Sequence, residues 1–136
     1  MGRSNINSIC TKLRSDLIKR QKKINLDRVG QYLVDKIKEE ATNALIDMKW
    51  FDQEGSEYAP DYEDLIDKIG YKIIISPNGS RSIQVGIFDN QAGSELMEEI
   101  EYGSLKNPEV PIFRSVIPSL EEKIKQYIKN GRKFLS

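Results

Sequence analysis

The chain has 136 residues, with 21 Lys and Arg balancing 21 Asp and Glu, no His, 38% hydrophobic and 31% charged residues. That length supports one domain with its own core, and the composition is that of a soluble folded chain rather than a disordered one. Without imidazole the commonest general base and zinc ligand are missing, Ser–His and Cys–His nucleophile pairs are excluded, and the single cysteine, Cys10, rules out an intrachain disulfide.

No apolar run approaches the roughly 20 residues of a membrane span. The basic N-terminus lacks the apolar core of a secretory signal, so the chain is expected to be made and kept in the cytosol, with no membrane partner.

Residues 5–24 place Ile6, Ile9, Leu13, Leu17, Ile18 and Ile24 near helical spacing, with Cys10 as a small core or helix-surface residue. The bases of this region, Lys12, Arg14, Lys19, Arg20, Lys22, Lys23 and then Arg28, are dense enough to neutralise phosphates. No aromatic lies among them, so stacking on single strands is not expected, and a solvated helix face is the competing reading. Asn25 suits the cap of a second helix, with Asp27 in its first turn. Val29, Leu33, Ile37, Ala41, Leu45 and Met48 share one face of it, with Tyr32 and Ala44 beside them. Gly30 inside this pattern costs about 1 kcal/mol relative to Ala, which leaves the boundary between the two helices open.

Residues 49–61 read as a loop, because Gly55, Ser56 and Pro60 interrupt the periodicity. A short segment around Leu65, Ile66 and Ile69 ends at Gly70. The period then changes to that of strands. The segment 71–76 is rich in β-branched residues, and 82–88 alternates Ile83, Val85 and Ile87 with polar or small residues. Asn78-Gly79 lies between them, and both residues tolerate positive φ, so a β-hairpin is predicted.

The stretch 89–94 reads as a loop, with Ser94 capping a short helix or strand through Tyr102. Pro108 and Pro111 stiffen an extended connection. Ser119 and Glu122 form a capping box for a last helix, whose stripe is Leu120, Ile124, Tyr127 and Ile128 and whose end is Gly131. The order predicts a single α+β domain over 1–136. Long N-terminal helices occupy 1–50, and 62–136 supplies a small antiparallel sheet with the hairpin, a connecting loop and a C-terminal helix.

Catalytic patterns are weak. Asp61 with Glu121-x-Lys123 superficially suggests a metal-dependent nuclease, but that chemistry wants the Glu and Lys on a strand, and here they open a predicted helix. The acids at Asp61, Glu63, Asp64, Asp67, Glu98, Glu99 and Glu101 do not have the spacing of a calcium loop. The expectation is a protein that is not an enzyme, with no catalytic residue, metal or cofactor.

The charge is unevenly spread. Residues 1–28 carry eight bases and two acids, 35–67 eleven acids and three bases, and 102–136 seven bases and three acids. Segregated signs suit head-to-tail contact between copies, although solvated helix faces give the same pattern.

The most informative stretch is 101–114, which holds Glu101, Tyr102, Gly103, Ser104, Lys106, Pro108, Pro111, Phe113 and Arg114. It resembles the signature of the neck or tail-completion proteins of tailed bacteriophages: an acid, an aromatic, a glycine and Thr or Ser, then a base, two prolines, an apolar pair and Arg. Eight residues fall in that register: Glu101, Tyr102, Gly103, Ser104, Lys106, Pro108, Pro111 and Arg114. The apolar pair, Ile112-Phe113, reverses the family's usual order, and Ser115-Val116 stands where the family usually has Pro-Ala. These departures bear on packing at the start of the helix more than on register.

The resemblance implies a structural virion protein at the phage head–tail junction, made in the bacterial host cytoplasm. It would form a ring, of six copies by the family's usual symmetry or of twelve, between the portal or adaptor side and the tail tube, with a channel for DNA. Under it, the nine residues named for 101–114 are candidate subunit or partner contacts, with Tyr102 in the core and Lys106 and Arg114 facing a partner. A purely structural connection, with Tyr102 and Phe113 plugging the core, is the plainer reading. Packaged DNA would be a possible contact of Lys12, Lys19, Arg20, Lys22 and Lys23. The alternative from another class is a DNA-binding module built on the same bases.

Overall fold

The computed structural model describes residues 25–130 apart from Gln53, and describes 128–130 as backbone only. The helix expected over 5–24, its cysteine and its candidate DNA contacts, the side chain of Ile128 and the stop at Gly131 lie outside the described residues.

The first described helix, α1, is Leu26–Leu45. Asn25 caps it: its side-chain oxygen accepts from the Arg28 N–H at 3.3 Å, and Asp27 sits in the first turn where the helix dipole favours an acid. Val29, Leu33, Ile37, Ala41 and Leu45 are buried along one face as the periodicity predicts, while Met48 falls beyond the helix end and is half-buried. Gly30 has a packing reason. A Cβ there would stand 2.6 Å from Tyr71 Cγ, so the absent side chain is the seat of the tyrosine ring.

Residues 49–61 are more ordered than the loop expected of them. Strands β1 (Trp50–Phe51) and β2 (Glu57–Tyr58) pair antiparallel, with Trp50 opposite Tyr58 and Phe51 opposite Glu57. The Asp52 carboxylate closes the turn by accepting from the Glu54 and Ser56 N–H groups, each at 2.9 Å, and Gly55 takes φ +87°. Breaker residues here mark a tight turn inside a small hairpin rather than the absence of strands.

Helix α2 (Tyr62–Asp67) is capped by Asp61, whose carboxylate accepts from the Asp64 N–H at 3.0 Å. The predicted hairpin follows as β3 (Ile69–Ile75) and β4 (Arg81–Ile87), in register from Ile69 opposite Ile87 to Ile75 opposite Arg81. Ile69 and Gly70 thus begin a strand rather than ending the segment before it. Ile83, Val85 and Ile87 are buried, and so are Gln84 and Gly86 between them, because β4 is covered on both faces. Helix α1 packs across both strands.

Helix α3 (Gln91–Tyr102) begins earlier than expected. Its cap is Asn90, accepting from the Gly93 N–H at 2.7 Å, and Ser94 is a buried residue inside the helix rather than its cap. Helix α4 (Phe113–Asn130) also starts before its predicted capping box. Ser119 and Glu122 are interior residues of α4, Pro118 lies within the helix, and Ser119 Oγ donates to the Val116 carbonyl at 2.7 Å.

The described chain is therefore α+β, as expected, in a single small domain. Its four described helices are distributed along the sequence rather than gathered at the N-terminus, and its strands form two separate two-stranded sheets. One core joins α1, Trp50, β3, β4, α3 and α4.

Candidate functional site

The stretch 101–114 folds around a single buried carboxylate. Glu101, in the last turn of α3, is 1% exposed. Its Oε1 accepts from the Ile112 and Phe113 N–H groups at 2.8 and 2.9 Å, and its Oε2 accepts from the Arg114 N–H and Nε at 3.0 Å each. The first N–H groups of α4, which have no partner within their own helix, are thus satisfied by a side chain from the end of α3, with its negative charge at the positive end of the helix dipole. A helix capped from another helix needs no Ser or Thr of its own at the start, so the local capping box at Ser119 misplaced it.

Arg114 completes the arrangement. Its guanidinium also reaches the Glu101 carbonyl, pairs with Glu109 at 2.7 Å and lies over the Tyr102 ring, 4.5 Å from its centroid. Hydrogen bonds donated to Glu109 and then to Glu101 hold the arginine above its ordinary pKa. The side chain is 44% exposed, so part of it remains in solvent while Nε and one terminal nitrogen donate within the chain.

Between Glu101 and Arg114 the backbone must reverse within a few residues. Gly103 does this at φ +81°, and a Cβ there would meet the Glu109 N at 2.9 Å and the Asn107 carbonyl oxygen at 3.2 Å. Ser104 and Asn107 bridge the turn: the Ser104 N–H donates to the Asn107 carbonyl at 2.8 Å, and the Asn107 N–H donates to Ser104 Oγ at 3.2 Å. Asn107 then docks the loop on β1. Its Nδ2 donates to the Phe51 carbonyl at 2.9 Å, and its Oδ1 accepts from the Phe51 N–H at 3.0 Å, so one side-chain amide imitates a strand neighbour. Sequence reasoning passed over Asn107. The Asn107-Pro108 pair is a turn signal, but nothing local names Phe51 as the partner.

The candidate contacts therefore divide. Glu101 and Phe113 are buried, Tyr102 is half-buried against the core, and Gly103 shapes the turn. Ser104, Lys106, Pro108, Pro111 and Arg114 are on the surface, and Leu105 between them is a fully exposed large hydrophobe. Leu105 and Lys106 line a cleft of about 500 Å³ with Ser104, Phe51, Asp52 and Glu99. Tyr58 on β2 is 42% exposed. Burial, then the charges of Glu99 and Asp52, raise its phenol above the ordinary value of 10.0.

The residues of the nuclease-like pattern have other occupations: Asp61 caps α2, Glu121 pairs with Lys125 at 3.3 Å, and Lys123 is exposed on α4. Among the described residues no group of three or more His, Cys, Asp or Glu is placed to hold a metal ion, and no helix is long and apolar enough to cross a membrane.

No protein-family model, curated protein or solved structure matches the chain.

Proposed function

We propose that this chain is a structural subunit of the neck of a tailed bacteriophage, forming a ring at the head–tail junction between the portal or adaptor side and the tail tube. The observation that carries the reading is the register of Glu101, Tyr102, Gly103, Ser104, Lys106, Pro108, Pro111 and Arg114. The folded stretch supports it by supplying a physical reason for four of those eight positions. The acid must reach the N–H groups of Ile112 to Arg114, the glycine must turn the chain beneath Glu109, and the arginine must return to the acid and the aromatic.

In this role no bond is made or broken. The loop is preorganised by its own hydrogen bonds, so its exposed residues Leu105, Lys106 and Pro108 lose little entropy on contact. Copies would associate by shape and charge in a closed ring, most simply six, leaving an axial channel for DNA. Cryo-electron microscopy of the intact particle tests the reading. A symmetric ring of this chain at the head–tail junction is the expected result, and its absence from every particle sinks the proposal.

A further inference from the structure

We propose that copies of this chain join by strand pairing, the open edge of β3 in one copy taking the open edge of β2 in the next. The inference rests on the ring-subunit reading for its setting, and it names the two edges that meet.

Hydrogen-bond alternation shows which edges are open. In an antiparallel pair, positions that exchange hydrogen bonds alternate with positions whose backbone turns outward. The Ser76 N–H donates to the Ser80 carbonyl at 2.8 Å, at the turn end of the β3–β4 ladder. Counting back by twos, Ile74 and Lys72 bond to β4, while Tyr71, Ile73 and Ile75 turn their N–H and C=O groups away from it. None of those outward groups has a hydrogen-bond partner among the described residues. Ile75 is 68% exposed, Lys72 is exposed, and Tyr71 and Ile73 are half-buried, so this edge meets solvent. The outward positions Ile83, Val85 and Ile87 on β4 are buried.

In the smaller sheet the Asp52 N–H donates to the Ser56 carbonyl at 2.9 Å, which turns the backbones of Phe51 and Glu57 outward. Asn107 already occupies the Phe51 side. On the Glu57 side the backbone has no partner among the described residues, and residues 56–59 are all exposed. Each sheet thus keeps one open edge, a ready template for another strand.

Charge selects which strand. Lys72 and Arg81 flank the β3 edge, and Asp27 nearby is engaged by the Tyr71 hydroxyl. The β2 edge carries Glu57 and Tyr58, with Asp52 and Glu54 in the turn before it. An acidic, partly apolar edge therefore complements a basic, apolar one. Pairing β3 with β3, or β2 with β2, would set like charges together. The chain ends fit β3 poorly for the same reason. Residues 1–24 hold seven bases against Asp16 alone, and 131–136 hold Arg132 and Lys133 with no acid. Within one chain the two edges do not meet, because β1, anchored by Trp50, and β3 are fixed to one core in separate sheets. Two different edges on every copy give the head-to-tail contact from which rings are built.

Charge reversal in the full-length chain tests this. Lys72→Glu with Ile75→Glu alters the β3 edge, and Glu54→Lys with Glu57→Lys alters the β2 edge; all four side chains are exposed. Mass is read by light scattering on eluting peaks, and folding is checked by circular dichroism melting. The wild-type chain is expected to self-associate, more weakly as salt rises. Each double variant alone should be monomeric, because like charges then face each other, and all four changes in one chain should restore association. Hydrogen exchange adds a readout that charge contact without strand pairing would not move. The amides of Ile73 and Glu57 should slow about tenfold or more in the assembled wild-type chain relative to the same chain dissociated by dilution.

A wild-type chain that stays monomeric, a double variant that assembles like wild type, a fourfold variant that stays monomeric, or unchanged exchange at both amides overturns the inference. Stronger association of the β3 variant also overturns it, by placing a basic chain end on that edge. A neck ring formed by a chain whose double variants still assemble removes only this inference. Edge pairing by a chain absent from the particle removes only the neck reading.

Discussion

The Arg114 guanidinium lies 3.0 Å from the Glu101 carboxylate, and the same carboxylate binds the first N–H groups of the helix that carries Arg114. One acid therefore sets both where α4 begins and where its arginine points. Glu101→Ala should cost about 3–5 kcal/mol, because it leaves a charged partner and buried N–H groups unmatched. Glu101→Gln should fall between, since its amide oxygen can keep two N–H groups while its NH2 faces donors. Arg114→Ala, at a half-exposed site, should cost only about 1–2 kcal/mol. Urea unfolding of the three variants checks the order, and equal losses for Glu101→Ala and Arg114→Ala would contradict it.

Asn107 and Phe51 make a second, separable test. Asn107→Asp keeps the acceptor for the Phe51 N–H but loses the donor to its carbonyl. The expected cost is about 1–3 kcal/mol, the penalty for a part-buried carbonyl losing its partner. Hydrogen exchange should quicken around Phe51 and in the 103–107 turn while the amides of β4 keep their protection.

Gly30→Ala should destabilise the protein by about 1–3 kcal/mol, although Ala is the better helix former. The new methyl would collide with the Tyr71 ring, 2.6 Å from Cγ. Replacing Tyr71 by Ala in the same chain should remove the penalty of Gly30→Ala. A penalty of undiminished size in that background would locate the strain elsewhere.

Alkaline stability should report Tyr71. Its hydroxyl donates to the Asp27 carboxylate at 2.7 Å, and this bond, then burial, then the Asp27 charge raise its pKa above 10.0. The folded state thus favours the neutral phenol more than the unfolded state does. The resulting stability is full below pH 10.0 and is lost as pH rises through the higher folded value. Tyr71→Phe should flatten the fall in urea midpoint across that range. Some slope should remain, because Tyr58 and Tyr62 are raised in the same direction, both first by burial. A slope as steep as wild type would refute the Tyr71 assignment.

The elements legible in the sequence are those governed by contacts a few residues apart. Asn25 caps α1 through the N–H three residues on, the buried face from Val29 to Leu45 follows helical spacing, and the turn with Asn78 and Gly79 closes β3 onto β4. The α+β class followed from these. Each misplacement had a local signal outcompeted by something else nearby or distant. Asn90 caps α3 in place of Ser94 four residues later, and Gly55 with Ser56 marked a turn within a hairpin that Trp50 anchors in the core.

The stretch 101–114 was legible as a unit but not as a mechanism. Its spacing stood out and marked Glu101 and Arg114 as candidate partner contacts, but nothing local showed that the folded chain pairs them with each other. Periodicity, caps and turn chemistry are short-range, so the sequence by itself determined α1, the β3–β4 hairpin and the single α+β domain. Tertiary structure alone decided that Glu101 starts α4 from eleven residues away and that Asn107 serves as a strand neighbour to Phe51 across fifty-six. Gly30 likewise became a seat for Tyr71 only once α1 lay on β3. The physical reason is the same in each case: a buried donor, acceptor or ring must find its partner in space, and chain separation carries no record of which one it will be.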